Sequence, residues 1–283
     1  MQLDGKVSII TGGSGGIGKA IAKAFAREGS RLILNSRTDA ALAATKCEIL
    51  HGNPAANVEI FQADISKEKP AKDLIDFTLS KFGTVDILVN CAGVLGPVGL
   101  SSEVDYTKWL EGVQINFCGT FLCIKAVLPI MIKNKKGKII NLSGGGAVSP
   151  RPRFSSYSAS KAAVVRLTET LSMEVSEYNI DINAIAPGAV NTKLLEEVIA
   201  AGVAAGKEMA QALKQKHEGG TPPEKAAELA VFLASSQSNG LTGRLISAVW
   251  DNWQEIPKHL PEIIASDVFT MRRIIPKDRG FDW

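Results

Sequence analysis

The chain has 283 residues, 45% hydrophobic and 22% charged, which allows one or two domains with a sizeable core and has the composition of a globular protein. The net charge is +3 with basic residues scattered; the densest run, Lys133, Lys135, Lys136 and Lys138, reads as a solvated turn before a strand, so no nucleic-acid or membrane partner is expected. The four cysteines (Cys47, Cys91, Cys118, Cys123) show no CxxC pairing and the three histidines (His51, His217, His259) no ligand spacing; together with the absence of a signal-peptide core or a membrane-length apolar run, this predicts reduced thiols, no metal site and a cytoplasmic location.

In chain order, residues 7–10 read as a short buried strand. Thr11-Gly-Gly-Ser-Gly-Gly-Ile-Gly18 follows at once, then an alanine-rich helix with Ile17, Ile21, Ala24 and Phe25 on one face. Strand, glycine turn and helix in this order form the context in which such a motif signifies dinucleotide binding; outside it the motif is only a flexible loop. Gly12 suits the positive φ of a sharp strand exit, Gly16 lets the backbone approach a pyrophosphate, and Gly18 lets the helix pack closely on the strand. The helix N-terminus then turns free N–H groups towards phosphate. Residues 31–36 read as a second strand with the tip Asn35-Ser36-Arg37-Thr38. An acidic residue at this place holds the ribose 2′-OH of NAD, whereas an Arg accommodates the 2′-phosphate of NADP. Ser36 and Arg37 therefore favour NADP, with NAD possible if Arg37 is only a loop cation. Asp39 suits the first turn of the next helix.

A helix over 40–50 precedes a third strand over 58–63, at whose end Asp64 and Ile65 are placed to meet an adenine, unless Asp64 caps the helix near Ser66. A helix over 70–82 and a fourth strand over 86–89 lead to Asn90-Cys-Ala-Gly93, small residues that permit close approach. The helical pattern over 106–131 breaks near Asn116 and Gly119; an Asn there is awkward unless its side chain bonds a neighbouring carbonyl. Further strands are predicted over 137–141, 180–186 and 244–248, and helices over 155–178, 190–216 and 222–233. The alternation predicts an α/β fold, a Rossmann-type doubly wound parallel sheet of about seven strands with helices on both faces. One domain is expected over 1–250, with a substrate lid over 189–222, and then a C-terminal extension over 251–283 that holds an amphipathic segment at 267–274.

Tyr157 and Lys161 lie four apart on one helical face, so an ammonium beside the phenol would lower the Tyr pKa and suit it to proton transfer at a carbonyl oxygen; an ordinary surface pair has the same spacing. Ser143, leaving a neighbouring strand, is placed to donate to that oxygen. Taken together, the glycine turn, Asp64, Asn90-Cys-Ala-Gly93, Asn116, Ser143, Tyr157-Ser-Ala-Ser-Lys161 and Pro187-Gly188 occur in the order of a known family. Over roughly residues 4–247 the sequence resembles the short-chain dehydrogenases/reductases, and within them the 3-oxoacyl-carrier-protein-reductase-like group and the sugar or polyol dehydrogenases.

The resemblance implies roles. Tyr157 would be the acid/base, Lys161 would bind the nicotinamide ribose, Ser143 would polarise the substrate carbonyl, and Asn116 would hold a water in a proton relay. Gly12, Ser14, Gly16, Ile17, Gly18, Asn90, Ala92 and Gly93 would border the cofactor, and Ile185, Pro187, Gly188, Val190 and Thr192 would lie about the nicotinamide. A homodimer or homotetramer, pairing through 106–131 and 155–178, is implied too. Ser143 to Tyr157 is one residue longer than the family's usual spacing: ungapped, Gly144 takes the serine position, and a bulge in Gly144-Gly145-Gly146 would restore Ser143. Cys91 replaces a more usual Asn or Ala, and the extension is atypical. Arg151 and Arg153 either meet an anionic substrate group or are solvated, and Leu194, Leu195, Val198 and Ile199 either roof the substrate or pack on their own domain. The sequence thus predicts an NADP(H)-dependent oxidoreductase acting on a small ketone/secondary alcohol; the alternatives are an NAD-dependent sugar or polyol dehydrogenase and a non-enzymatic dinucleotide-binding protein.

Overall fold

In the computed structural model, which describes residues 1–283, seven strands form one parallel sheet. They are β1 (Val7–Thr11), β2 (Arg31–Ser36), β3 (Val58–Gln62), β4 (Ile87–Asn90), β5 (Gly137–Leu142), β6 (Ile180–Ala186) and β7 (Leu245–Ser247), in the spatial order β3-β2-β1-β4-β5-β6-β7. Successive strand residues face opposite sides, and both sides are covered. Ile9, Ile33, Leu88 and Ile139 enter one core layer, with α3 (Glu68–Phe82), α5 (Gly119–Asn134) and α6 (Ser155–Glu174). Ile10, Leu32, Leu34, Val89 and Ile140 enter the other, with α1 (Gly16–Arg27) and α9 (Pro223–Ala234). This two-sided burial is why the strands read as continuous apolar runs. Phe25 of α1 is fully buried, worth roughly 1.5–3 kcal/mol relative to exposure. The strand order reverses between β1 and β4, and a crevice opens beyond their C-terminal ends, the place where open parallel sheets bind ligands.

The remaining helices are α2 (Asp39–Gly52), α4 (Tyr106–Val113), α7 (Lys193–Ala200), α8 (Lys207–Glu218) and α10 (Ile256–Ile264). Three predicted helices differ from expectation for local reasons. The run at 106–131 is α4, a π-helical turn at Gln114–Cys118 and α5. It is long and apolar enough to cross a membrane by length and composition, but it packs against α3 and α6. The helix expected to reach 178 ends at Glu174, followed by a 3₁₀ turn. The stretch 190–216 divides into α7 and α8 because Gly202 and Gly206 take φ of 56° and 59°, left-handed values a helix cannot hold.

The extension is bound to the domain. Trp253 stacks on Phe232 of α9 with ring centroids 5.4 Å apart, and Ile256 and Ile263 enter the core layer of α1 and α9. Contrary to the amphipathic reading of 267–274, no helix forms there: Phe269 adopts φ 64° and its carbonyl accepts from Leu245 N–H at 2.8 Å. The buried guanidinium of Arg244 donates to the carbonyls of Ile263, Ser266 and Val268 at 2.8, 3.0 and 2.7 Å, fixing the chain as it leaves α10. Arg244→Leu is therefore expected to destabilise the protein by about 2 kcal/mol and expose 265–283 to protease, checked by thermal denaturation and limited proteolysis.

Candidate active site

The crevice is an open cleft of about 320 Å³ between the glycine turn, the tips of β2 and β3, the exit of β4 and the start of α7. Among the sequence-predicted residues it brings together Gly12, Ser14, Gly16, Ile17, Gly18, Ser36, Arg37, Asp64, Ile65, Ala92, Gly93 and Thr192. At Gly12, φ is 68° and a Cβ would lie 2.8 Å from Ala92 Cα; at Gly18 a Cβ would overlap the Gly12 carbonyl. The turn, β4 and α1 are thus in backbone contact, which only glycine permits. Thr11, which sequence reasoning gave no role of its own, locks this junction: its Oγ1 accepts from the N–H groups of Cys91 and Ala92 at 3.1 and 3.2 Å. No side chain caps α1, so its first N–H groups are free to meet an anion. A larger cavity, about 480 Å³, opens at the opposite end of the sheet, where Lys138 pairs with Asp181 at 2.7 Å and Lys136 with Asp86 at 3.2 Å.

At the β2 tip Arg37 is exposed and forms no ion pair. Its main-chain carbonyl accepts from Gln62 Nε2 at 2.8 Å, and Ser36 Oγ accepts from Thr38 N–H at 3.2 Å, so the tip is fixed while the guanidinium is free. Asp64 caps Ser66, accepting on Oδ1 from its N–H (3.0 Å) and hydroxyl (2.7 Å). Burial acts to raise its pKa, but the Ser66 hydrogen bonds and the charge of Arg37 outweigh burial and hold Asp64 below the usual carboxylate value.

Asn90 is turned away from the cleft: its Nδ2 donates to Asn141 Oδ1 at 2.9 Å, Asn141 in turn bonds Thr168, and the buried Asn90 Oδ1 has no partner. Pro187, Gly188 and Val190 lie beside the cleft but do not line it; a Cβ on Gly188 would stand 2.6 Å from Val249, and Val190 forms a bridge with Thr221. The loop nevertheless returns over the glycine turn, since a Cβ on Gly16 would stand 3.1 Å from Thr192 Cγ2.

The π-helical turn aims Asn116 at Val94, whose N–H it accepts at 2.8 Å and whose carbonyl it donates to at 2.9 Å. Asn116, Lys161 and Gly93 converge: a Cβ on Gly93 would be 3.1 Å from Asn116 Oδ1 and 3.6 Å from Lys161 Nζ. Lys161 donates to the Leu142 carbonyl at 2.7 Å and lies 5.6 Å from the Tyr157 ring centroid. Burial lowers the Lys161 pKa to about 8, opposed by Cys91. The expectation that Lys161 depresses Tyr157 is corrected here: burial comes first and raises the Tyr157 pKa, while Arg151 is the cation that lowers it. The ammonium is itself desolvated and committed to the Leu142 carbonyl.

Ser143 makes no hydrogen bond with Tyr157. Its hydroxyl is buried and donates to the Lys161 main-chain carbonyl at 3.3 Å, while its N–H continues the pairing with β6 through Ile185. The next residue faces the tyrosine, as strand alternation dictates: a Cβ on Gly144 would stand 3.2 Å from Tyr157 Oη. The glycine run therefore leaves a residue without a side chain opposite the phenol. Arg151 and Arg153 both reach α7–α8 rather than the cleft: Arg151 pairs with Glu208 and Arg153 donates to the Ala204 carbonyl at 3.3 Å. Leu195 and Val198 pack on Leu95 and Phe154, with Leu194 and Ile199 at the edge of that cluster and Tyr157 beside them.

The free N–H groups of α1, the glycine cradle and the unpaired Arg37 fit a dinucleotide, with Lys161 next to Gly93 of the cleft and Tyr157 beside Lys161. A family model described as short chain dehydrogenase matches residues 6–202. The chain is 36% identical to glucose 1-dehydrogenase 2 of Bacillus subtilis strain 168 over 86% of its own length and 92% of that protein. It is 32% identical to the 3-oxoacyl-[acyl-carrier-protein] reductase FabG of Thermotoga maritima over 87% of its length and 97% of that protein. The crystal structure of a levodione reductase superposes with a TM-score of 0.81 at 29% identity, covering 89% of this chain and 98% of the other.

Proposed function

The chain belongs to the short-chain dehydrogenase family, and from that premise we propose that it is an NADP(H)-dependent oxidoreductase interconverting a small ketone and its secondary alcohol. Family membership makes it an oxidoreductase that uses a nicotinamide dinucleotide. When bound, that cofactor supplies or accepts the hydride. The glycine turn and the N-terminus of α1 would hold its pyrophosphate, and Lys161 its ribose. Tyr157 would give its phenolic proton to the carbonyl oxygen in reduction and take it back in oxidation. Leu95, Leu194, Ile199 and Met209 around Tyr157 favour an apolar substrate.

The observation that carries the NADP reading is the unpaired Arg37 beside Ser36 at a β2 tip that carries no carboxylate in the cleft. Titrating the purified protein with NADPH and with NADH, followed by tryptophan fluorescence, tests it: tighter NADPH binding is expected, and tighter NADH binding would leave Arg37 a loop cation and favour polyol oxidation. For the carbonyl, we assign the proton-donating contact to Tyr157 without Ser143. Ser143→Ala is expected to keep turnover within about threefold, because losing a true oxyanion donor costs roughly 10²–10³ in rate. A fall of that larger size in steady-state assays would return Ser143 to the catalytic set.

A further inference from the structure

We propose that Arg151 couples residues 193–218, the helical part of the lid expected over 189–222, to Tyr157: it holds that segment closed through Glu208 and presents its positive charge to the tyrosine ring. The proposal rests on the reading of Tyr157 as the acid/base. Arg151 leaves the loop between β5 and α6, and its Nε lies 2.7 Å from both carboxylate oxygens of Glu208, in the first turn of α8. Its guanidinium stands 4.1 Å from the Phe154 ring centroid and 5.5 Å from that of Tyr157. One cation therefore touches both the lid and the face of the phenol. The pair is mostly buried, so solvent and salt screen it less than a surface pair.

The neighbouring contacts make the lid a fitted part rather than a loose flap. Arg153 bonds the Ala204 carbonyl, and Gly206 leaves it room, since a Cβ there would stand 2.7 Å from Arg153 Nε. The apolar faces of α7 and α8 seat Leu195, Val198 and Ala212 against Phe154. The other titratable groups facing Tyr157 are Lys161, committed to the Leu142 carbonyl, and Cys91, whose thiol burial pushes up to about 11 and keeps neutral. Arg151 is thus the positive charge that opposes the effect of burial on Tyr157. Opening the lid would draw Glu208 away and alter the charge felt by the phenol, so closure and proton transfer would be linked.

The test needs no substrate. The chain has three tyrosines, so full-length protein carrying Tyr106→Phe and Tyr178→Phe and labelled with ¹³C at tyrosine Cζ reports Tyr157 alone by NMR across a pH titration. Glu208→Gln keeps an amide oxygen for Arg151 but removes the counter-charge, and the Tyr157 midpoint is expected to fall by about one unit. Arg151→Met is expected to raise it by a similar amount, and Arg151→Lys to leave it near the parent value. Glu208→Gln and Arg151→Met should both speed trypsin cleavage after Lys207, Lys214 and Lys216. Midpoints that move together or not at all would reduce Arg151 to a structural tie and overturn the coupling. Unchanged cleavage would overturn the latch. Where Arg151→Met does not fold, the Glu208→Gln and Arg151→Lys arms decide. If Tyr157 is not the acid/base, these shifts still occur while Tyr157→Phe leaves turnover intact, so the two failures are distinguishable.

Discussion

Tyr157→Phe is expected to lower turnover by about 10²- to 10⁴-fold while leaving cofactor binding within about twofold. Phenylalanine keeps the ring that meets Arg151 and the Phe154 cluster and deletes only Oη, which makes no hydrogen bond in the folded chain. Packing is therefore retained, and the loss belongs to proton transfer. The pH dependence follows from two groups. Burial holds Tyr157 above the ordinary phenol value, so it is protonated, and able to act as an acid, through the neutral range. Lys161, lowered to about 8 by burial, carries its charge below that pH and loses it above. Reductive turnover should accordingly hold below pH 8 and decline through it, as the ammonium that would hold the nicotinamide ribose loses its charge. The same lysine affects stability with a definite sign: its folded pKa is below its unfolded value of 10.5, so the unfolded chain binds more protons between about 8 and 10.5 and stability from this group rises with pH across that window. Cofactor oxidation followed by absorbance, for parent and variant, checks the turnover profile, and thermal denaturation between about pH 8 and 10.5 checks the stability. Undiminished turnover in Tyr157→Phe would end the assignment.

Much of the framework was legible because burial on both faces writes itself into the strands as apolar runs. The strands at 31–36 and 180–186 have the bounds read from sequence, and the glycine turn sits where strand–turn–helix order placed it. What was not legible depends on single residues or on distant partners. A π-helical turn inserts one residue and leaves no compositional trace, so the break near Asn116 was legible but the turn that makes it was not. Ser143 and Gly144 differ by one step, and a strand exit sends neighbours to opposite sides; the spacing to Tyr157 raised both residues, and strand alternation separates them. Asn90 looked like a cofactor contact, but its amide is used across the sheet by Asn141. For Arg151 and Arg153 the sequence leaves an anion contact and a solvated loop both open, because their partners, Glu208 and Ala204, lie more than fifty residues on. The segment 267–274 had helical periodicity, which the guanidinium of Arg244 and the left-handed Phe269 override.

Arg37→Asp is expected to reverse the cofactor preference, weakening NADPH by about 10- to 100-fold and strengthening NADH. The size comes from a charge-assisted hydrogen bond, worth about 1.5–3 kcal/mol, at a tip that solvent reaches. The tip itself should survive the change. Gln62 holds the main-chain carbonyl at 37, Thr38 N–H is held by Ser36 Oγ, and Asn35 ties β2 to the end of β3 through the Phe61 and Ala63 carbonyls at 3.0 and 3.2 Å. With the backbone fixed, an aspartate at 37 would repel the 2′-phosphate and could accept from the free 2′-OH of NADH, so loss and gain arise from one atom group. Asp64 adds to the repulsion, because its negative charge is no longer offset by the Arg37 guanidinium. Salt provides an independent check. An exposed guanidinium–phosphate pair is screened, so the parent's preference for NADPH should shrink as ionic strength rises, whereas NADH binding to the variant should stay nearly constant. Paired fluorescence titrations at low and high salt measure all four quantities. A parent preference insensitive to both the substitution and salt would place 2′-phosphate recognition elsewhere than the β2 tip.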